Sequence, residues 1–318
     1  MKVKKNGNTV EISFKFDTRL IALVKTFPGR QFNAKTKSWH IPLAGSLPVI
    51  AQLRQQGFEI DPELMKSVVE DDRKACEAVA LAELDNIDID IDLPLYNFQK
   101  VCVAFMIKTS SCLNACGVGT GKSLMTISAT KVNQTKKNLI IAPKSLLYQW
   151  QAECNRWLPE YKTFVVSGTA KQRQDVYEKV KVEPAPYFLI LSYEQLRIDN
   201  LSSIFQTVIL DESHRCGNVR TKTRKAIKKI CEKSEHRYLL TATPLVNRPA
   251  DLYGQLDLVQ GGCLGGYQTF LDRYMVRNQW GGMLYPINQS ELAQKLKRYM
   301  VRKSLEEVAP EMPPMTIE

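Results

Sequence analysis

The chain has 318 residues, of which 44% are apolar and 24% charged. That is a globular composition with room for about two domains, and it excludes a disordered polymer, a collagen and a mini-protein. The 44 Lys and Arg outnumber the 33 Asp and Glu, a net charge of +11 that points to a polyanionic partner, nucleic acid before a membrane surface.

The chain starts Met1-Lys2-Val3-Lys4-Lys5, charged but with no apolar stretch behind it. A signal peptide is therefore not expected. Residues 1–68 read as a small basic α+β module. Val10, Ile12, Phe14 and Phe16 alternate as in a half-buried strand. Asp17 is placed to cap a short helix carrying Leu20, Ile21, Leu23 and Val24. Phe32 and Trp39-His40-Ile41 flank a polar stretch, Asn33 to Lys37, which predicts a β-hairpin. Leu47, Ile50, Ala51 and Leu53 predict a second helix, stopped by Gly57. A basic hairpin with an aromatic can grip phosphates and stack on a base. Trp39 is thus a DNA-contact candidate, with a plain core role as the alternative.

Residues 69–92 reverse the charge, with Glu70, Asp71, Asp72, Glu77, Glu83, Asp85, Asp88, Asp90 and Asp92 against Arg73 and Lys74. This predicts an acidic connector, with helix-forming residues from Cys76 to Leu84. A larger domain, 93–318, follows. Its short apolar runs are Asn138–Ala142, Phe164–Val166, Tyr187–Leu191, Thr207–Leu210 and Arg237–Leu240, separated by helical patterns. Continuous Val/Ile/Leu strands between helices predict a mostly parallel sheet covered on both faces, an α/β fold. No apolar run approaches the roughly 20 residues of a membrane span. The eight cysteines form no Cys-x-x-Cys pair. Reduced thiols are expected, in the cytoplasm of a bacterial or phage-infected cell or in a nucleus if the source is eukaryotic.

Cys116-Gly117-Val118-Gly119-Thr120-Gly121-Lys122-Ser123 precedes a helical pattern. Glycines let backbone N–H groups turn inward around phosphate oxygens, and the helix N-terminus adds its dipole. Lys122 would reach the β- and γ-phosphates of ATP, and Ser123 would hold Mg²⁺. Cys116 stands where the strict P-loop pattern has glycine. Asp211-Glu212-Ser213-His214 ends the strand Thr207–Leu210, where open α/β sheets place ligand chemistry. Asp211 would join the Mg²⁺ shell, and Glu212 would orient and polarise the attacking water. Thr241-Ala242-Thr243-Pro244 closes a further strand.

In this order and spacing the three motifs resemble superfamily 2 helicases and translocases, more specifically their Swi/Snf branch. The likeness is also carried by Leu95–Gln99, by Asn138–Trp150, by Leu191–Leu196, by Leu240–Asn247, by Tyr299–Lys303 and by Glu311–Pro314. It implies a RecA-like first lobe over residues 93–318. It implies that Gln99 contacts adenine, and that Gly117, Gly119, Thr120, Gly121, Lys122 and Ser123 bind phosphates and metal. It implies that His214, Thr241 and Thr243 couple nucleotide state to DNA grip. Lys144 and Ser145 begin a helix after a strand, a geometry suited to a DNA phosphate, and Ser192 and Tyr193 occupy a similar loop. Phe27–Phe32 and Lys35–Trp39 make the small module similar to the HARP-type domain of annealing helicases, which implies that it assists binding of branched or forked DNA.

The family's motor has two RecA-like lobes, the second supplying an arginine finger. Nothing after Thr243 resembles the second lobe's motifs. The resemblance thus implies an ATP-dependent DNA translocase or helicase half that needs a second lobe, in cis or in trans. The alternative is a DNA-binding or assembly module that uses ATP as a structural ligand.

Overall fold

The computed structural model describes residues 1–311 apart from positions 28, 44, 86, 200, 202, 245–248 and 278–282. Pro28 of the HARP-like segment, Leu245–Asn247 and Met312–Pro314 therefore lie outside the described residues.

The first five strands are β1 (Lys2–Asn6), β2 (Thr9–Ser13), β3 (Gln31–Asn33), β4 (Ser38–Pro42) and β5 (Glu59–Ile60), and the first helices are α1 (Thr18–Val24), α2 (Leu47–Gln55) and α3 (Pro62–Ala82). The strands form one sheet in the order β3-β4-β2-β1-β5. All its pairings are antiparallel except β1 with β5. The alternating pattern at Val10 and Ile12 forms β2, as expected, but the strand ends at Ser13, and Phe16 stays exposed. Asp17 caps α1 by accepting the N–H groups of Arg19 at 2.8 Å and Leu20 at 3.1 Å. The expected hairpin is β3–β4, and Lys37 in its turn has φ +51°. Val3, Val10, Ile12, Phe27, Ile41, Ile50 and Leu53 build the core. Burying a side chain of this size contributes about 1.5–3 kcal/mol.

The next segment alternates helix and strand: α4 (Asn97–Thr109), β6 (Ser111–Asn114), α5 (Lys122–Val132), β7 (Lys137–Ala142), α6 (Leu147–Trp157), β8 (Lys162–Val165), α7 (Ala170–Lys181), β9 (Tyr187–Ser192), α8 (Tyr193–Asp199), β10 (Thr207–Leu210), α9 (Lys222–Cys231), β11 (His236–Leu240) and α10 (Pro249–Val259). After it come α11 (Tyr267–Tyr274), the two-stranded ribbon β12 (Met275–Arg277) and β13 (Met283–Pro286), α12 (Gln289–Leu296), β14 (Met300–Val301) and α13 (Leu305–Val308).

Seven strands form a wholly parallel sheet in the order β14-β6-β11-β10-β7-β9-β8. The α/β expectation holds. All five apolar runs read from the sequence are strands of this sheet. Its core gathers Phe98, Phe105, Met125, Ile140, Trp150, Phe188, Ile209 and Tyr238. Crossovers over both faces leave every strand's C-terminal end on one edge, where the loops carry the motifs.

The division into compact units differs from the one drawn on charge. One unit is Met1–Glu77 with Gln260–Arg298, and the other is Ala78–Val259 with Tyr299–Glu318. The sign of the charge changes near residue 69, but α3 runs on as one helix from Pro62 to Ala82. Acidic side chains on a helix face do not end the helix. Within the first unit, Arg298 pairs with Asp72 at 2.7 Å, and Arg273 and Lys295 pair with Glu291 at 2.7 and 3.0 Å. Among the described residues no helix is long and apolar enough to cross a membrane.

Candidate functional site

The loop from Ala115 to Gly121 leaves β6 and enters α5. Gly119 and Gly121 have φ of +78° and +80°, in the left-handed region that side chains other than glycine resist. A Cβ on Gly121 would also lie 2.4 Å from Nε2 of Gln99. Gly121 at the N-cap of α5 offers no side-chain cap, so the positive end of the helix dipole borders the loop. Thr120 is buried and donates to the Gly117 carbonyl at 2.9 Å. Lys122 folds over the loop and donates to the carbonyls of Cys116 at 3.0 Å and Gly117 at 2.7 Å.

The departure at Cys116 has a physical reason. Its side chain is buried in the core cluster, 3.8 Å from the sulfur of Cys102 on α4. The backbone of the loop's start is braced by the returning segment that contains β14. Leu113, Ala115 and Gly117 donate their N–H groups to the carbonyls of Tyr299, Val301 and Lys303 at 2.8, 2.8 and 3.0 Å.

Gln99 is buried on the first turn of α4. Its oxygen accepts the Tyr96 N–H at 3.0 Å, and its amide donates to the Thr120 carbonyl at 2.9 Å. This ties the expected adenine contact to the phosphate loop.

Asp211 follows β10 directly. Its Oδ2 accepts the indole N–H of Trp150 at 2.8 Å, and its Oδ1 accepts the Glu212 N–H at 2.9 Å. Glu212 adopts φ +50°, ψ +50°, a left-handed conformation that a non-glycine residue holds only under constraint. His214 lies with Nδ1 3.2 Å from the Glu212 carboxylate and 3.3 Å from the Thr241 hydroxyl. The Thr241 hydroxyl also accepts the Thr243 N–H at 3.1 Å. Ser213 is buried and donates to Gln255 on α10 at 2.9 Å. Burial pushes the Lys122 ammonium below its ordinary value, against the opposing pull of Cys116, Glu212 and Asp211. The charges of the loop lysine and the two acids thus act on one another across the strand ends.

Oxygen donors and a lysine suit a magnesium-bound polyphosphate. Mg²⁺ prefers one or two protein oxygens plus substrate phosphates over an all-protein cage. Among the described residues no group of three or more His, Cys, Asp or Glu could hold a metal by itself. Of the two oxygen donors expected for it, Ser123 stands on the first turn of α5 and Asp211 directly after β10.

The expected DNA contacts separate into three kinds. Lys144 and Ser145 are exposed at the end of β7, in a single turn of 3-10 helix that leads into α6. Ser192 and Tyr193 are buried. Ser192 caps the start of α8 by accepting the Gln195 N–H at 3.2 Å, and Tyr193 donates to the Asp211 carbonyl at 2.6 Å. Trp39, in the first unit, is half-buried against Phe32, their rings 5.0 Å apart, while Phe32 itself is 55% exposed. Sequence reasoning missed the roles of Trp150 and Gln255, the partners of Asp211 and Ser213.

The family model described as SNF2-related domain matches residues 68–318. The chain is similar to the SWI/SNF-related matrix-associated actin-dependent regulator of chromatin subfamily A-like protein 1 of Xenopus laevis, 28% identical over 95% of this chain and 32% of that protein. It is also similar to the DNA annealing helicase and endonuclease ZRANB3 of Homo sapiens, 29% identical over 73% of this chain and 22% of that protein. The chain spans a third or less of the length of these curated relatives. Among solved structures, the Sulfolobus solfataricus SWI2/SNF2 ATPase core in complex with dsDNA superposes with a TM-score of 0.60. That match has 23% identity and covers 72% of this chain and 49% of that one, a likeness of fold.

Proposed function

The chain belongs to the SNF2-related domain family, and from that premise we propose that it is the first RecA-like half of an ATP-dependent DNA translocase or helicase motor. The observation that carries the proposal is the placement of Lys122, Asp211 and Glu212 after the C-terminal ends of β6 and β10, which flank β11 in the sheet, with the charges of the two acids acting on Lys122 and His214 bridging Glu212 to Thr241 at the end of β11. Gly117, Gly119, Thr120, Gly121 and Lys122 would cradle the phosphates of ATP, and Gln99 would meet adenine. Ser123 and Asp211 would hold Mg²⁺, which when bound neutralises charge on the β- and γ-phosphates. Glu212 would accept a hydrogen bond from the attacking water and orient it in line. His214 joins that carboxylate to Thr241 and Thr243, a route by which nucleotide state reaches the lobe's outer loops.

Lys144 and Ser145 would contact a DNA phosphate. The first unit, with Trp39 and Phe32 on its basic hairpin, is our HARP-like candidate for branched DNA. The relatives named as chromatin regulator and annealing helicase support DNA as the polymer. A second RecA-like lobe, in cis or in trans, would supply the arginine finger, worth ~10³–10⁵ in rate.

The test is ATP hydrolysis with and without duplex and forked DNA, by this chain and by a form joined to its second lobe. DNA-stimulated turnover of the joined form only, abolished by Lys122→Ala, is expected. Robust DNA-stimulated turnover by the 318-residue chain alone would refute the need for a second lobe. DNA binding without hydrolysis by either form would favour the module that keeps ATP as a structural ligand.

A further inference from the structure

Trp150 is among the largest fully buried side chains, and it carries a single polar atom. An indole N–H can only donate. Here it donates to Oδ2 of Asp211 at 2.8 Å, while the Glu212 N–H holds Oδ1 at 2.9 Å. Both carboxylate oxygens therefore have a fixed donor, and the carboxylate cannot turn without losing one. The phenol of Tyr193 holds the main-chain carbonyl of the same residue at 2.6 Å. Asp211 is fixed at three of its oxygen-directed contacts, two of them from aromatic side chains in the lobe's interior.

The two aromatics come from informative places. Trp150 lies on α6, the helix that begins right after the exposed turn Lys144–Leu146. Tyr193 is the first residue of α8, right after Ser192 at the end of β9. A shift of the β7–α6 loop, or of the junction where β9 passes into α8, moves an element that carries a donor to Asp211. Mg²⁺ demands near-ideal octahedral oxygens, and donors behind a metal-binding group commonly set its affinity by 10–100-fold.

We infer that Trp150 and Tyr193 are positioning residues that aim Asp211 at magnesium and transmit movement of the β7–α6 loop and of the β9–α8 junction to it. The inference rests on the ATP·Mg²⁺ reading above. It gives buried Tyr193 a role through Asp211 instead of one on DNA.

The experiment measures binding of a fluorescent ATP analogue to the full chain, in EDTA and across a Mg²⁺ titration, with and without duplex DNA. Wild type is compared with Trp150→Phe, Tyr193→Phe and Trp157→Phe. Trp157, on the same helix, donates instead to Glu153. Trp150→Phe should leave affinity in EDTA unchanged and raise the Mg²⁺ midpoint about tenfold. Any effect of DNA on the midpoint should be lost with it. Tyr193→Phe, which deletes one oxygen and keeps the ring, should shift the midpoint the same way by less, and it carries the test if Trp150→Phe does not fold. Trp157→Phe should not shift it. Equal weakening with and without Mg²⁺, or an unmoved midpoint in both variants, overturns the inference. A wild-type chain that binds the analogue with no dependence on Mg²⁺ overturns the ATP·Mg²⁺ reading first, and is distinguishable on that ground.

Discussion

The side-chain amide of Gln99 donates to the main-chain carbonyl of Thr120 at 2.9 Å. The start of α4 is thereby fastened to the phosphate loop through a buried group. The same side chain accepts the Tyr96 N–H, which orders the entry to the helix. Gln99→Ala leaves a buried carbonyl and an N–H without their partners, at about 1–3 kcal/mol each. The melting temperature should fall by several degrees. If Gln99 also reads adenine, the variant should lose its preference for ATP over GTP, measured by competition binding. Gln99→Glu should destabilise further, because it sets a carboxylate oxygen against the Thr120 carbonyl.

Lys122 behaves differently. Its acceptors, the carbonyls of Cys116 and Gly117, lie on the loop it guards, and the desolvation of its ammonium outweighs the opposing pull of Cys116, Glu212 and Asp211. Lys122→Ala should leave the melting temperature within about a degree of wild type. It should weaken triphosphate binding by at least about tenfold, the scale of a lost charge-assisted contact. A large drop in melting temperature with unchanged nucleotide affinity would remove Lys122 from the site.

The helix behind the acids depends on a buried ion pair. Arg224 on α9 reaches Asp257 on α10 at 2.7 Å, with side-chain exposures of 3% and 13%. Its Nε also donates to the Gly254 carbonyl at 3.2 Å. Asp257→Ala strands a buried guanidinium and should cost about 3–5 kcal/mol. Because α10 also carries Gln255, the partner of Ser213, the loss should loosen the Asp211–His214 turn as well. Thermal unfolding checks the first effect. Faster amide exchange at Ser213 and His214 checks the second.

In the first unit, Glu291 takes hydrogen bonds from Arg273, Lys295 and Tyr274. Those bonds, Arg273's foremost, hold its carboxyl down at about 2, from an ordinary 4.5. A depressed carboxyl favours the folded state fully above its unfolded value. That contribution shrinks as the pH falls below about 4.5 and is gone below about 2. The melting-temperature gap between wild type and Glu291→Gln should therefore be constant from pH 7 to 5 and narrow progressively at pH 4 and 3. A gap that stays constant down to pH 3 would refute the coupling.

Much of the second unit could be read from its residues, because buried parallel strands such as Asn138–Ala142 and Thr207–Leu210 announce themselves as apolar runs. Two strands of the same sheet did not. β6 is Ser-Cys-Leu-Asn and β14 is only Met300–Val301, and neither is a run of β-branched residues. β6 was thus hidden although it launches the phosphate loop. The acids and the lysine were legible as chemistry at strand ends. Which way Ser192 and Tyr193 face was not, since a residue where a strand passes into a helix belongs to neither periodicity. Trp150 reads as one more core aromatic until its N–H is seen on Asp211. The pairing of 260–298 with the N-terminal segment has no sequence signal at all, because compactness across such a separation is written in contacts rather than in composition.

The backbone at Glu212 offers a separate test. Its φ of +50° costs a non-glycine residue about 1–2 kcal/mol. Glycine there would relieve that strain while adding about 0.4–1 kcal/mol of unfolded-state entropy to be lost on folding. Glu212→Gly and Glu212→Ala both remove the carboxylate and its contact with His214, so their difference isolates the backbone. Glu212→Gly should be the more stable of the two by about 0.5–1 kcal/mol, the reverse of the usual order for these residues. If Glu212 acts on water and not on the phosphates, as proposed, both should abolish hydrolysis in the joined motor while keeping nucleotide binding. If Glu212→Ala proves the more stable, the left-handed turn is not held under strain, and the acid's orientation must be set by His214 alone.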